Sequence, residues 1–188
     1  MKSIESKYIQ NNGSFDTNLD ELRDQYQTMF RESSPRYHLT LTFRFGLNER
    51  VAVSLLNNFL VYVNRAILKR RYNEFGKAIK GFVIKEATPS MDNIHFHIII
   101  SDPERKLPDH ARMDEIIKKK IENVNRTVKV LNQISKYLLQ DYYEGDDSRS
   151  LEKYLTKVIE RTDLTFTEKI NAICPIGADP VDFGGLKY

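Results

Sequence analysis

The stretch Asn93 to Ile100, Asn-Ile-His-Phe-His-Ile-Ile-Ile, constrains this chain more than any other. It is too apolar and too β-branched for a surface loop, so it reads as a strand. Successive side chains of a strand point to opposite faces, which puts His95 and His97 on one side and Phe96 on the other, toward a core. Two imidazoles held side by side on a sheet can chelate one divalent cation. The competing reading is a coincidental pair of half-buried histidines. With 4 His among 188 residues, chance supplies only about 0.08 such i,i+2 pairs.

Composition sets the scale of the fold. At 188 residues and 40% hydrophobic content, the chain can bury one sizeable core, which predicts a single domain with polar ends. The 29 basic and 26 acidic side chains leave a net charge of +3, which permits a polyanionic partner without demanding one. Cys174 is the single cysteine and cannot form an intramolecular disulfide. No signal-like segment opens the chain, and no apolar run reaches the roughly 20 residues of a bilayer span. The expected location is therefore cytoplasmic.

Residues 1–20 are rich in Ser, Asn, Gln and charge and read as a polar N-terminal arm, with structure beginning near Asn18. A domain is expected over 21–165 and an irregular C-terminal tail, broken by Pro175, Pro180 and glycines, over 166–188. Within the domain, Leu19, Leu22, Tyr26, Met29 and Phe30 predict a short helix stopped at Ser33-Ser34-Pro35. Tyr37 to Arg44 alternates with period two, Leu39, Leu41 and Phe43 on one face and His38, Thr40, Thr42 and Arg44 on the other. One long helix is expected from about Asn48 to Glu74, closed by Gly76.

A strand over Lys80 to Ala87 then turns through Thr88 to Asn93 into the histidine strand, an antiparallel hairpin. Asp109 to Asn123 reads helical, and its Lys118-Lys119-Lys120 run suits a solvated face or a binding patch. Arg126 to Ile134 fits a strand and a helix equally, and periodicity does not decide. A last helix is expected over Ser148 to Arg161. On it Tyr154 and Lys157 are three apart and so neighbours, where an ammonium can stabilise a phenolate or the phosphate it attacks.

Taken in order, His38-Leu39-Thr40-Leu41-Thr42-Phe43-Arg44, His95-Phe96-His97 and Tyr154-Leu155-Thr156-Lys157 resemble the three motifs of the rolling-circle replication initiators. These form the Rep branch of the HUH endonuclease superfamily, and the resemblance spans about Arg36 to Arg161. It implies an α+β, ferredoxin-like or RRM-like fold, a central antiparallel sheet of about five strands flanked by helices. It also implies a metal site on the sheet and the tyrosine on an adjacent helix. The activity implied is a metal-dependent single-stranded DNA nuclease and strand transferase that nicks an origin through a 5′-phosphotyrosine. No Gly-x-x-x-x-Gly-Lys-Ser/Thr segment occurs, so the implied enzyme lacks a helicase and would depend on host helicase and replication machinery.

The chemistry can also be argued from the residues. A phosphodiester resists attack through its negative charge and poor leaving group, so a site must neutralise the phosphate and supply a nucleophile. His95 and His97 suit Mn²⁺ or Mg²⁺, and Glu86, near the end of the neighbouring strand, is the candidate third ligand. Glu86 is also placed to pair with a lysine at a strand end, and His38 to line the site or to serve the core. Tyr154 is the candidate nucleophile with Lys157 its partner. Tyr137, Tyr142 and Tyr143 are rivals, and Tyr137-Leu138-Leu139-Gln140 would suit the single-tyrosine transposases. Thr40, Thr42, Arg44 and Arg70, with Arg65, Lys69 and Arg71, are candidate contacts to single-stranded or hairpin origin DNA, or simply solvated. A nucleic-acid-binding module without catalysis and a water-using metal hydrolase remain alternatives.

Overall fold

The computed structural model describes residues 15–87, 93–127, 133–142, 151–177 and 179–183. Helix α1 (Phe15–Glu32) opens the fold, so helical structure begins earlier than the expected Asn18. Its buried Leu22, Tyr26 and Phe30 recur every four residues and dock it on the sheet. Ser33 Oγ donates to Phe30 O at 2.7 Å and Ser34 takes a φ of 54°, which stops the helix before β1 (Pro35–Phe43).

Asn48 caps α2 (Glu49–Leu68), its side chain accepting from Arg50 N–H at 2.9 Å. The expected single helix to Glu74 is instead two, because Lys69 turns to a φ of 50° and α3 (Arg70–Phe75) follows. The apolar stripe ends at Leu68, and α3 buries nothing, so no packing holds the two segments in line. By length and mean hydropathy (1.4) α2 could cross a membrane. In the fold its Ala52, Val53, Leu56, Phe59 and Val63 are buried in the core.

The hairpin forms as expected from β2 (Lys80–Ala87) and β3 (Ile94–Ser101). Gly81 is obligatory there, since a Cβ would stand 1.9 Å from Ile99 O. Next come α4 (His110–Thr127) and β4 (Ile134–Asp141). Of the ambiguous segment, Arg126 and Thr127 end α4 and Ile134 opens β4, with 128–132 outside the described residues. Beyond it lie α5 (Leu151–Thr156), a 3₁₀ turn (Lys157–Glu160), α6 (Phe166–Asn171) and β5 (Ile173–Ile176). The five strands pair antiparallel in the order β4-β1-β3-β2-β5, an open sheet flanked by helices. From β1 to β4, with α2 and α3 as one crossover, the succession is β-α-β-β-α-β, a split βαβ arrangement.

The expected irregular tail is corrected: residues 166–177 and 179–183 complete the domain. Thr165 and Glu168 make a reciprocal capping box that starts α6. β5 then adds to the sheet edge, where Pro175 is tolerated because an edge strand leaves one row of N–H groups unpaired. Asn57 holds the returning chain through Val181, donating to its carbonyl at 3.1 Å and accepting from its N–H at 2.8 Å. Phe183 stacks on Phe96, centroids 5.5 Å apart.

Strand alternation splits the interior into two cores. Leu39, Leu41, Phe43, Phe96, Ile98 and Val83 face α2 and α4. Phe82, Ile84 and Ile99 face α1, α5, the 3₁₀ turn and α6. The second cover reaches β2 and β3 and leaves part of that sheet face open as a cleft of about 870 Å³.

Candidate metal and nucleophile site

The cleft floor is a grid set by strand register. Thr42 lies opposite His95 and Thr40 opposite His97 on one side of β3. Glu86 lies opposite His95 on the other side. The period-two reading is thereby realised: His95, His97, Thr40, Thr42 and Glu86 all line the cleft.

Each imidazole is backed by a hydroxyl. His95 Nδ1 is 3.0 Å from Thr42 Oγ1, and His97 Nδ1 is 3.2 Å from Thr40 Oγ1. His97 Nε2–H donates to Glu86 Oε2 at 2.9 Å. Buried His38 stacks on His97 at 5.3 Å with its Nε2 3.1 Å from the same Nδ1. Burial, then the neighbouring His97 charge, lowers the His38 pKa to about 4, so it packs as a neutral ring. Burial also lowers the pKa of His95, keeping its nitrogens free of a second proton.

The second half of the site comes from α5 and the 3₁₀ turn. Leu155, Val158 and Ile159 insert into the second core, and Gln27 Nε2 donates to Thr156 Oγ1 at 3.1 Å, pinning the segment to α1. Tyr154 is left over the cleft, 46% exposed, its ring edge-on to His97 at 5.5 Å. Lys157 Nζ lies 4.0 Å from the centroid of the Tyr154 ring and 2.7 Å from Glu86 Oε1. Hydrogen bonding from His97, then from Lys157, outweighs burial and pulls the Glu86 pKa down to about 2. Burial works against the Lys157 ammonium, but Glu86 and Tyr154 outweigh it and hold its pKa above the ordinary value.

Among the described residues, no three His, Cys, Asp or Glu side chains stand together ready to hold a metal ion. Glu86 is taken by His97 and Lys157. In kind the donors fit a divalent cation: two imidazoles and a carboxylate on one face. The hydroxyls of Thr42 and Thr40 stand at the Nδ1 atoms of His95 and His97, where a second contact orients an imidazole.

The remaining candidates scatter. Arg44 lies beyond the end of β1, exposed and outside the cleft lining. Arg70 lies on α3 and pairs with Glu74, and Arg65, Lys69 and Arg71 neighbour it away from the cleft. Lys118 and Lys119 are exposed on α4, over the opposite face. Tyr137 sits on a strand, not a helix, and packs against the first core while also bordering the cleft. Burial, then the Asp114 carboxylate, pushes its phenol above the ordinary pKa, a poor state for a nucleophile. Tyr142 packs against the second core, and Tyr143 falls outside the described residues. Sequence reasoning missed Lys136, Leu138, Arg161 and Asp163, which also line the cleft. A strand assignment for β4 would have found the first two through their alternation.

Comparisons with family models, with curated proteins and with solved structures gave no match to this chain.

Proposed function

We propose that this chain is a metal-dependent, HUH-type DNA nicking and joining enzyme that starts rolling-circle replication of a plasmid or phage. The observation that carries this reading is one contact chain: His97 to Glu86, Glu86 to Lys157, Lys157 to Tyr154 and Tyr154 back to His97. Segments far apart in sequence meet at one point, with a nucleophile, a cation and ligand side chains side by side. A binding module would give no reason for that convergence. A hydrolase using water would need the ligands but not Tyr154.

Tyr154 Oη attacks the phosphorus of a single-stranded phosphodiester and the P–O3′ bond breaks. A 5′-phosphotyrosine forms, and the proton lost by the phenol is balanced by one gained at the departing 3′ oxygen. A phenol is a weak nucleophile until its proton is drawn off. The Lys157 ammonium, held over the ring, favours the phenolate electrostatically. His95, His97 and Glu86 would hold Mn²⁺ or Mg²⁺, whose chemistry when bound is Lewis-acid polarisation of a nonbridging phosphate oxygen. The phosphotyrosine keeps the bond energy, so attack by a 3′ hydroxyl rejoins strands without ATP. The substrate is single-stranded or extruded DNA, because a paired strand cannot lay its backbone on the cleft floor.

The test is incubation of the protein with single-stranded DNA and Mn²⁺, then denaturing electrophoresis. The expected result is nicked DNA with a 3′ end that a polymerase extends and a 5′ end blocked by protein. Products with free 5′ phosphates would indicate water as the nucleophile, and uncut DNA that is nonetheless bound would favour the binding module.

A further inference from the structure

The turn after β1 displays an aromatic ring that the fold does not use. Phe45 is 75% exposed. The turn is firmly built: Leu47 N–H donates to Arg44 O at 3.2 Å, and Gly46 supplies the positive φ of 73°. Arg44 N–H also donates to Gln133 O at 2.8 Å, tying the turn to the start of β4.

Isolated exposed apolar residues are ordinary, and the neighbourhood sets this one apart. The turn leaves the sheet at the end where Thr42 pairs with both His95 and Lys136. Leu138, 54% exposed, lies two residues along β4 opposite Thr40. Leu138 and Tyr154 line the cleft and Phe45 stands on the turn beyond it, three of the five large apolar side chains exposed among the described residues. The acids around the cleft have cationic partners: Glu86 with Lys157, Glu160 with Arg23, Asp163 with Arg161. Lys136 and Arg44 form no ion pair with any described residue, so among the described residues the uncompensated charge here is positive.

We propose that this end of the cleft is a nucleobase-stacking track, an assignment that rests on the nuclease reading above. Phe45 stacks on a base flanking the bond that Tyr154 attacks, and Lys136 and Arg44 hold the adjoining phosphates. Aromatic faces interleaved with cations suit a single strand of any sequence, because every unpaired base offers a π-face. A duplex would present bases whose faces are already covered.

The chain contains no Trp, so Phe45→Trp introduces a lone fluorescent reporter at the turn. In a Tyr154→Phe background, which cannot cleave, this protein is titrated with fluorescein-labelled single strands of random sequence. The indole emission should fall in step with the rise in fluorescein anisotropy. Phe45→Ala should weaken binding about tenfold and Phe45→Tyr restore it. Lys136→Ala should reduce the slope of log affinity against log salt by about one. Rising anisotropy with unchanged emission, and an unaltered Phe45→Ala affinity, would overturn the track while leaving the covalent chemistry standing. Failure of every strand to bind would overturn both.

Discussion

Glu86 has two partners at once, and the competition between them makes the site testable residue by residue. Its carboxylate accepts from His97 and pairs with Lys157, the two contacts that hold its pKa near 2. Removing the ammonium should therefore have opposite effects on binding and on chemistry. Lys157→Ala should bind Mn²⁺ several-fold more tightly by calorimetry, since Glu86 is released and a positive charge is gone. The same variant should form covalent adduct about a hundredfold more slowly in single turnover, having lost its electrostatic support. Parallel losses would mean that Lys157 serves only to hold the site together. The Tyr154–Lys157 pairing was legible because three residues of helix fix it locally. Their meeting with Glu86 was not, because it depends on how α5 docks against α1, through Gln27 and Thr156, and no local pattern encodes that.

Among the elements, the join between β3 and α4 is held by one carboxylate. Asp102 pairs with Arg36 at 2.6 Å and accepts from the N–H groups of Lys106 and Leu107 at 2.7 and 3.0 Å. Burial acts to raise its pKa, but these bonds outweigh burial and hold it below the ordinary value. The unfolded chain takes up the proton first as pH falls. The stabilisation is therefore full above the unfolded pKa of about 3.9 and is lost as pH drops through the lower native one. Asp102→Asn should cost about 1–3 kcal/mol in urea unfolding at neutral pH, with the gap to the parent closing toward pH 3. A gap independent of pH would show that shape, not charge, matters there. Strand β1 was legible from its alternation, β3 from its β-branched apolar run and β2 from the turn that joins it to β3. β4 was not, because Leu131, Ile134 and Leu138 also satisfy a helical period, and pairing with β1 decides the outcome. The break at Lys69 lay hidden because charge at a helix end suits a continuing helix as well as a stop.

At the level of the whole molecule, the site depends on a sheet finished by the segment that reads as a tail. Phe183 and Val181 are buried beside Phe96, on the opposite side of β3 from His95 and His97. Phe183→Ala should cost about 3–5 kcal/mol, and a chain ending at Asp163 should lose its cooperative thermal transition. Ile173, Cys174 and Ile176 around Pro175 gave too short a pattern to register as a strand. The central claim is that the three segments form one strand-transfer site, and peptide mapping of the covalent adduct tests it most directly. After reaction with single-stranded DNA and Mn²⁺, the phosphodiester should be found on Tyr154 and be absent from Tyr154→Phe, His97→Ala and metal-free samples. An adduct on Tyr137, or one that persists in Tyr154→Phe, would contradict the account.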